Sequence, residues 1–284
     1  MPAERRVRTG GVEVAIREWN GAGRDFVLVH GLASNAKTWE MVAKGLSRAG
    51  HHIVAVDQRG HGRSDKPETG YGFDEVTSDL AVLIEAMGLE QPVVAGQSWG
   101  GNVVVDFASR HPELLSGLVL VDGGLIDLAS RPGATWETTA VEMKPPNLLS
   151  KPRNEMVARF RGFHPQWSDE QIELQMGNYE TLEDGTIRPW LSLEHHMEIL
   201  WALWNQRPIE LIESLATPML IAIAGGGGGT AAVDAAGRRA MAAVRGCGAR
   251  YSRGPPGGAD AVGVGGGGRR VLRVGEPRPG VRCG

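Results

Sequence analysis

The sequence predicts an α/β fold: a doubly wound, mostly parallel sheet with a helical segment inserted as a cap. Three observations point to it. Continuous apolar, β-branched runs recur up to about residue 224, helical patterns fill the gaps between them, and one aromatic-rich stretch interrupts the alternation.

In chain order, VEVAIREW (12 to 19) alternates apolar and polar side chains, the pattern of an antiparallel strand covered on one face. The preceding MPAERRVRTGG has no apolar stretch, so Arg5, Arg6 and Arg8 read as a solvated terminus. DFVLVHG (25 to 31), HIVAVDQ (52 to 58), QPVVAGQS (91 to 98), the run from Ser116 to Gly124 and PMLIAIAG (218 to 225) are different in kind. Each is continuously apolar and ends in glycine or polar residues, which suits strands buried on both faces of a parallel sheet. Between them Thr38 to Ala49, Phe73 to Met87 and Gly101 to Arg110 carry helical periodicity, the last stopped by His111-Pro112. Ligands of such a sheet bind at the carboxyl ends of its strands.

Residues 125 to 206 break the alternation with Trp136, Met143, Trp167, Trp190, Trp201, Trp204 and other large side chains. Lying between two strands of one sheet, this segment is expected to cap the strand ends, most of its aromatics forming the cap's own core and a few facing the cleft. The organisation read from the sequence is therefore a first core part at 1–124, a cap at 125–206, the last recognisable core strand at 207–224 and a tail at 225–284. That tail is dominated by Gly, Arg, Pro, Ala and Val and is too poor in large apolar side chains to offset ~1–2 kcal/mol of backbone entropy per residue. It is expected to be poorly ordered. It reads either as a Gly-rich natural tail or as a stretch translated out of frame from a GC-rich gene, with the second reading preferred.

Composition bounds the function classes. With 284 residues, 42% of them hydrophobic and 22% charged, the chain suits a single core bearing one insertion. A formal net charge of −3 with no basic face gives no reason to expect nucleic acid or an anionic membrane as partner. Absence of a secretory-type apolar core, and of any run near the ~20 residues of a spanning helix, points to a cytoplasmic protein. Cys247 and Cys283 have no metal-ligand spacing and no histidine nearby, so neither a zinc site nor a disulfide framework is expected.

The chemistry concentrates in GQSWGG (96 to 101), where Ser98 sits between glycines as an apolar strand turns into a helix. Strand, G-x-S-x-G, helix is the context of a nucleophile elbow, a tight strained turn that lifts the hydroxyl above the sheet. Two companions accompany it. His30-Gly31, at the end of the preceding strand, lets the backbone pass close to the nucleophile, so that the N–H groups of Leu32 and Trp99 can both face a developing oxyanion. His30 itself reads as a structural histidine bonding its loop rather than as a base. DQRGHGRSD (57 to 65) reads as a hinged loop braced by turn hydrogen bonds and an arginine–carboxylate pair.

HG, DQRGHGRSD, GQSWGG and LVLVDGG together, in this order, resemble the α/β-hydrolase superfamily over about residues 10 to 224, particularly its capped esterases and lactonases and their relatives among C–C hydrolases, epoxide hydrolases and cofactor-free haloperoxidases. The resemblance implies Ser98 as nucleophile, Leu32 and Trp99 as oxyanion donors, and an acid after the sixth or seventh strand. It also implies a histidine after the eighth, and no cofactor or metal. A serine at the elbow argues against dehalogenases and epoxide hydrolases, which carry aspartate there. Asp122, at the end of LVLVDGG, is the preferred acid and Asp234 the second choice. The histidine is missing: none follows His196. His195 and His196, adjacent on a helical pattern, cannot both face the cleft, and the better reading for His196 is substrate contact. Gly31, His30, Trp190, His196 and Trp201 complete the expected substrate-binding set. The substrate implied is a small hydrophobic ester or lactone hydrolysed through an acyl-enzyme. The alternatives are an impaired hydrolase-fold protein that binds an apolar ligand, and C–C hydrolase or perhydrolase chemistry on the same residues. Oligomeric state is not legible.

Overall fold

The computed structural model describes residues 1–224 and 240–244. Among these residues the main sheet has eight strands, in the order β1-β2-β4-β3-β5-β6-β10-β11. These are β1 (Ala3–Thr9), β2 (Val12–Trp19), β3 (Asp25–Val29), β4 (His52–Val56), β5 (Val93–Gln97), β6 (Gly117–Val121), β10 (Met219–Ala224) and β11 (Ala240–Val244). The pairings from β4 through β11 are parallel, whereas β1 with β2 and β2 with β4 are antiparallel. Helices α1 (Glu40–Arg48), α2 (Phe73–Ala86) and α3 (Trp99–Arg110) make the crossovers, within a residue or two of the expected positions.

Valines and leucines of β3, β4, β5 and β6 interdigitate with Val103, Val104, Val105 and Phe107 of α3 and with Leu80, Leu83 and Ile84 of α2 in one continuous core. This is why those strands read as unbroken apolar runs: both faces are covered. On the opposite face Trp19, Leu28, Trp39, Ala43 and Ile53 form a second, smaller cluster beneath α1.

One expectation is corrected at the start of the chain. The first residues are not a solvated terminus but β1, registered against β2 from Ala3↔Glu18 to Thr9↔Val12. Val7 and Thr9 point inward, while Arg5 and Arg6 stay outside, Arg5 paired with Glu18 and Arg6 with Asp65. The reading failed because only the last third of this strand buries side chains. At the other end Ala240–Val244, inside the tail expected to be mostly poorly ordered, adds β11 beside β10 in register from Leu220↔Ala240. The rest of that stretch lies outside the described residues.

The inserted segment holds α4 (Trp136–Glu142), β7 (Lys151–Pro152), α5 (Arg153–Phe163), α6 (Asp169–Met176), β8 (Tyr179–Thr181), β9 (Thr186–Pro189) and α7 (Leu193–Asn205), followed by α8 (Pro208–Ser214). It is therefore not purely helical: β7, β9 and β8 form a small antiparallel sheet. Its middle has its own core of Met156, Ile172, Met176 and Ile187, with Phe160, Trp167 and Tyr179 packed on it. Its flanks instead join the main core, through Ile199, Leu200 and Leu203 of α7 and through Trp136, Met143 and Trp204. Helix α7 is also tied down by polar contacts. Glu198 accepts the backbone N–H groups of Gly70 (3.1 Å) and Tyr71 (2.9 Å), and His195 stacks on the Tyr71 ring at 4.1 Å.

Candidate active site

At the β5–α3 junction Ser98 has φ 52° and ψ −124°, a backbone conformation that an L-residue adopts only when its surroundings impose it. They do so from two sides. The Ser98 N–H donates to Val121 O of β6 (3.1 Å), and Gly101 N–H to Ser98 O (2.9 Å), closing the turn. The turn also requires bare backbone nearby. A Cβ on Gly100 would lie 2.4 Å from His30 O and 2.5 Å from Val29 O, and one on Gly123 would lie 2.2 Å from Ser98 O. The glycines are thus needed for contact as well as for conformation.

The loop after β3 faces this bend. Ser34 N–H donates to Gly31 O (3.2 Å), and Ala33 within that turn has φ 55°. Within that turn the Leu32 N–H has no partner among the hydrogen bonds of the described residues. Trp99 is the first residue of α3, so its N–H has no carbonyl one turn back to bond, and the positive end of the helix dipole adds to the field there. Donors placed in this way stabilise an oxyanion by about 3 kcal/mol each where they are aligned with it.

Two buried histidines hold the loop. His30 is fully buried, and its Nδ1–H donates to Gly31 O (2.7 Å) while Nε2 accepts from Gln58 N–H (3.1 Å). His61 Nδ1–H donates to Arg59 O (2.9 Å) and its Nε2 accepts from Ala33 N–H (3.2 Å). These bonds require both rings to be neutral. Burial pushes His30 down to about 4 and drives His61 well below its ordinary value, the neighbouring His30 adding to the effect. The His61 ring stacks on Trp99 at 5.6 Å and meets His30 edge-on at 4.9 Å, so loop, histidines and elbow form one packed unit. Substrate contact by His30, expected from the sequence, is corrected here, because no part of its ring reaches the surface.

The DQRGHGRSD loop is braced in the way its composition suggests. Asp57 accepts from Ala36 N–H (2.7 Å) and Arg63 N–H (2.9 Å). The carboxylate facing Arg59 comes from elsewhere: Asp79 of α2, in a two-pronged pair at 2.6 and 2.9 Å. Sequence reasoning missed it. Its signal was a lone carboxylate among Val76, Leu80 and Leu83 on the buried face of α2.

Other expected site residues are placed as follows. Gly31 is buried against the elbow, where a Cβ would lie 3.1 Å from Ser98 Cβ. Asp122, exposed at the carboxyl end of β6, has φ 45°, and its N–H donates to Ala222 O (2.8 Å). Asp234 lies outside the described residues. His196 is 8% exposed on α7, near enough to His61 for their charges to interact, and burial lowers its pKa against an opposing bond to the Met143 carbonyl. Trp201 stands edge-on to Trp136 at 4.8 Å and is 48% exposed. Trp190, with Lys66 Nζ 4.9 Å over its ring, lines a groove of about 550 Å³. That groove runs between β1, β2 and the small sheet, and neither Ser98 nor Leu32 is in its walls. No histidine bonds the Ser98 hydroxyl among the described residues, and no group of three or more His, Cys, Asp or Glu there is arranged to hold a metal ion.

The family model described as alpha/beta hydrolase fold matches residues 26–220. The chain belongs to that family. Among α/β hydrolases it is 37% identical over 118 residues to 2-(acetamidomethylene)succinate hydrolase of Mesorhizobium japonicum, an alignment covering 42% of each chain. It is 36% identical over 115 residues to epoxide hydrolase A of Mycobacterium tuberculosis, covering 39% of this chain and 36% of that one. The chain thus spans less than half the length of these curated relatives. The crystal structure of E-2-(acetamidomethylene)succinate hydrolase superposes with a TM-score of 0.71 at 25% identity, covering 87% of this chain and 91% of that one.

Proposed function

We propose that this protein is a serine hydrolase of carboxylic esters or lactones with hydrophobic acyl groups. Ser98 attacks the carbonyl, the N–H groups of Leu32 and Trp99 receive the oxyanion, Asp122 is the acid, and water releases the acyl-enzyme. The observation that carries the reading is the Ser98 backbone, held at φ 52° on the bend between β5 and α3. The preference for an apolar acyl group is carried over from the richness of the inserted segment in aromatic and methionine side chains.

A second reading, binding of an apolar ligand with little turnover, is favoured by one specific fact. The chain carries no histidine after His196, and His195 and His196 are engaged with Tyr71 and Met143. Loss of the base from a triad lowers kcat by about six orders of magnitude while the oxyanion hole sustains residual catalysis.

Stopped-flow hydrolysis of p-nitrophenyl esters and aryl-substituted lactones, with and without added imidazole, separates the two. A burst of phenolate stoichiometric with protein that is lost in Ser98→Ala supports the hydrolase. Saturable ester binding without release in either condition supports the binding protein.

A further inference from the structure

One buried side chain bonds both ends of the inserted segment. Asn102, fully buried on α3 one turn beyond Ser98, grips the loop that follows β6 through Ile126: its Nδ2 donates to Ile126 O (2.9 Å) and its Oδ1 accepts Ile126 N–H (3.3 Å). The same Nδ2 donates to Gln206 Oε1 (2.7 Å), at the point where the chain leaves α7. Gln206 returns both of its amide protons to α3, one to Asn102 O (3.2 Å) and one to Asp106 Oδ2 (3.1 Å). Asp106 is itself held by Arg110, which also reaches Asp74 of α2 (2.6 Å). Every donor of the two amides is used, in a site where Gln206 and Asp106 are each only 6% exposed.

The entering stem is also the stem of the elbow, since Val121 O receives the Ser98 N–H and Gly123 lies against the Ser98 backbone. The nucleophile's helix, the loop leading into the inserted segment and the turn leading out of it therefore meet at one amide.

From this geometry we infer that Asn102 and Gln206 are positioning residues that fix the inserted segment over Ser98, and so set the size of acyl group the site accepts. The inference rests on the hydrolase reading for its consequence, but the coupling of the two stems does not. Breaking the grip at one stem loosens the other, because polar groups buried without partners drive local opening.

The test uses the intact chain with Gln206→Ala and Asn102→Leu, Gln206→Ala carrying it alone if Asn102→Leu does not fold. Hydrogen exchange read by mass spectrometry should rise by about tenfold or more in the peptide containing Leu125 to Leu128 when Gln206 is truncated, while the β5 peptide stays unchanged. Labelling of Ser98 by a methyl and by a dodecyl fluorophosphonate gives the second readout. The ratio of their rate constants should shift by about fivefold or more, whereas a merely destabilised fold lowers both together. Exchange confined to the Gln206 stem, or an unchanged labelling ratio, overturns the inference. Absence of labelling in the wild type would count against the hydrolase, and the exchange data would still decide the coupling.

Discussion

Acid should destabilise this fold through one identifiable ring. His30 is buried, and its Nε2 must stay unprotonated to accept the Gln58 N–H. Its pKa is about 4 in the fold against 6.5 when exposed. A depressed folded pKa means that the unfolded chain takes up the proton first, so the contribution is fully present above 6.5 and is lost as pH falls towards 4. At 1.36 kcal/mol per unit the loss is about 3 kcal/mol by the lower limit. Other groups titrate in the same window, so the measurement is a difference. Urea unfolding of wild type and His30→Gln, from pH 7 to pH 4, should show the wild-type advantage shrinking by about 3 kcal/mol. A difference that stays constant across this range would mean that the ring is not held neutral, and the bonding that holds the Leu32 loop would have to be reassigned.

Ser98→Gly should unfold at a higher denaturant midpoint than Ser98→Ala, by about 1–2 kcal/mol, because glycine relieves the backbone strain that alanine retains; equal stabilities would remove the elbow's strain. Gly100→Ala should destabilise by at least about 1–3 kcal/mol, as its Cβ must push aside the backbone of β3, and a neutral thermal shift would contradict the close approach. Arg59→Leu should cost about 3–5 kcal/mol by leaving Asp79 buried and unpaired, and adding Asp79→Leu should recover much of it. A double mutant no better than the single in chemical denaturation would show that the pair is not the source.

Elements with a strong periodic signature were legible. The parallel strands and α1 to α3 follow from buried apolar runs alternating with amphipathic ones, and the elbow follows from glycine spacing at a strand–helix junction. What escaped depends on partners distant in sequence. Strand β1 buries too little to show a pattern and exists because β2 offers it an edge. Asp79 and Gln206 look like ordinary helix and loop residues until Arg59 and Asn102 are brought to them. The small sheet of the inserted segment is built from strands as short as Lys151–Pro152, below the length at which alternation can be read. His30 was read correctly as a loop brace and wrongly as a substrate contact, because a sequence shows a polar ring near a site but not that both of its nitrogens are already bonded.

The most direct measurement is mass-spectrometric localisation of the adduct formed with a fluorophosphonate, in the intact chain, with and without imidazole. A nucleophile on a strained bend, as proposed for Ser98, predicts one stoichiometric adduct, on the peptide bearing Ser98, absent from Ser98→Ala. Modification elsewhere, or none at Ser98 even with imidazole present, would contradict it.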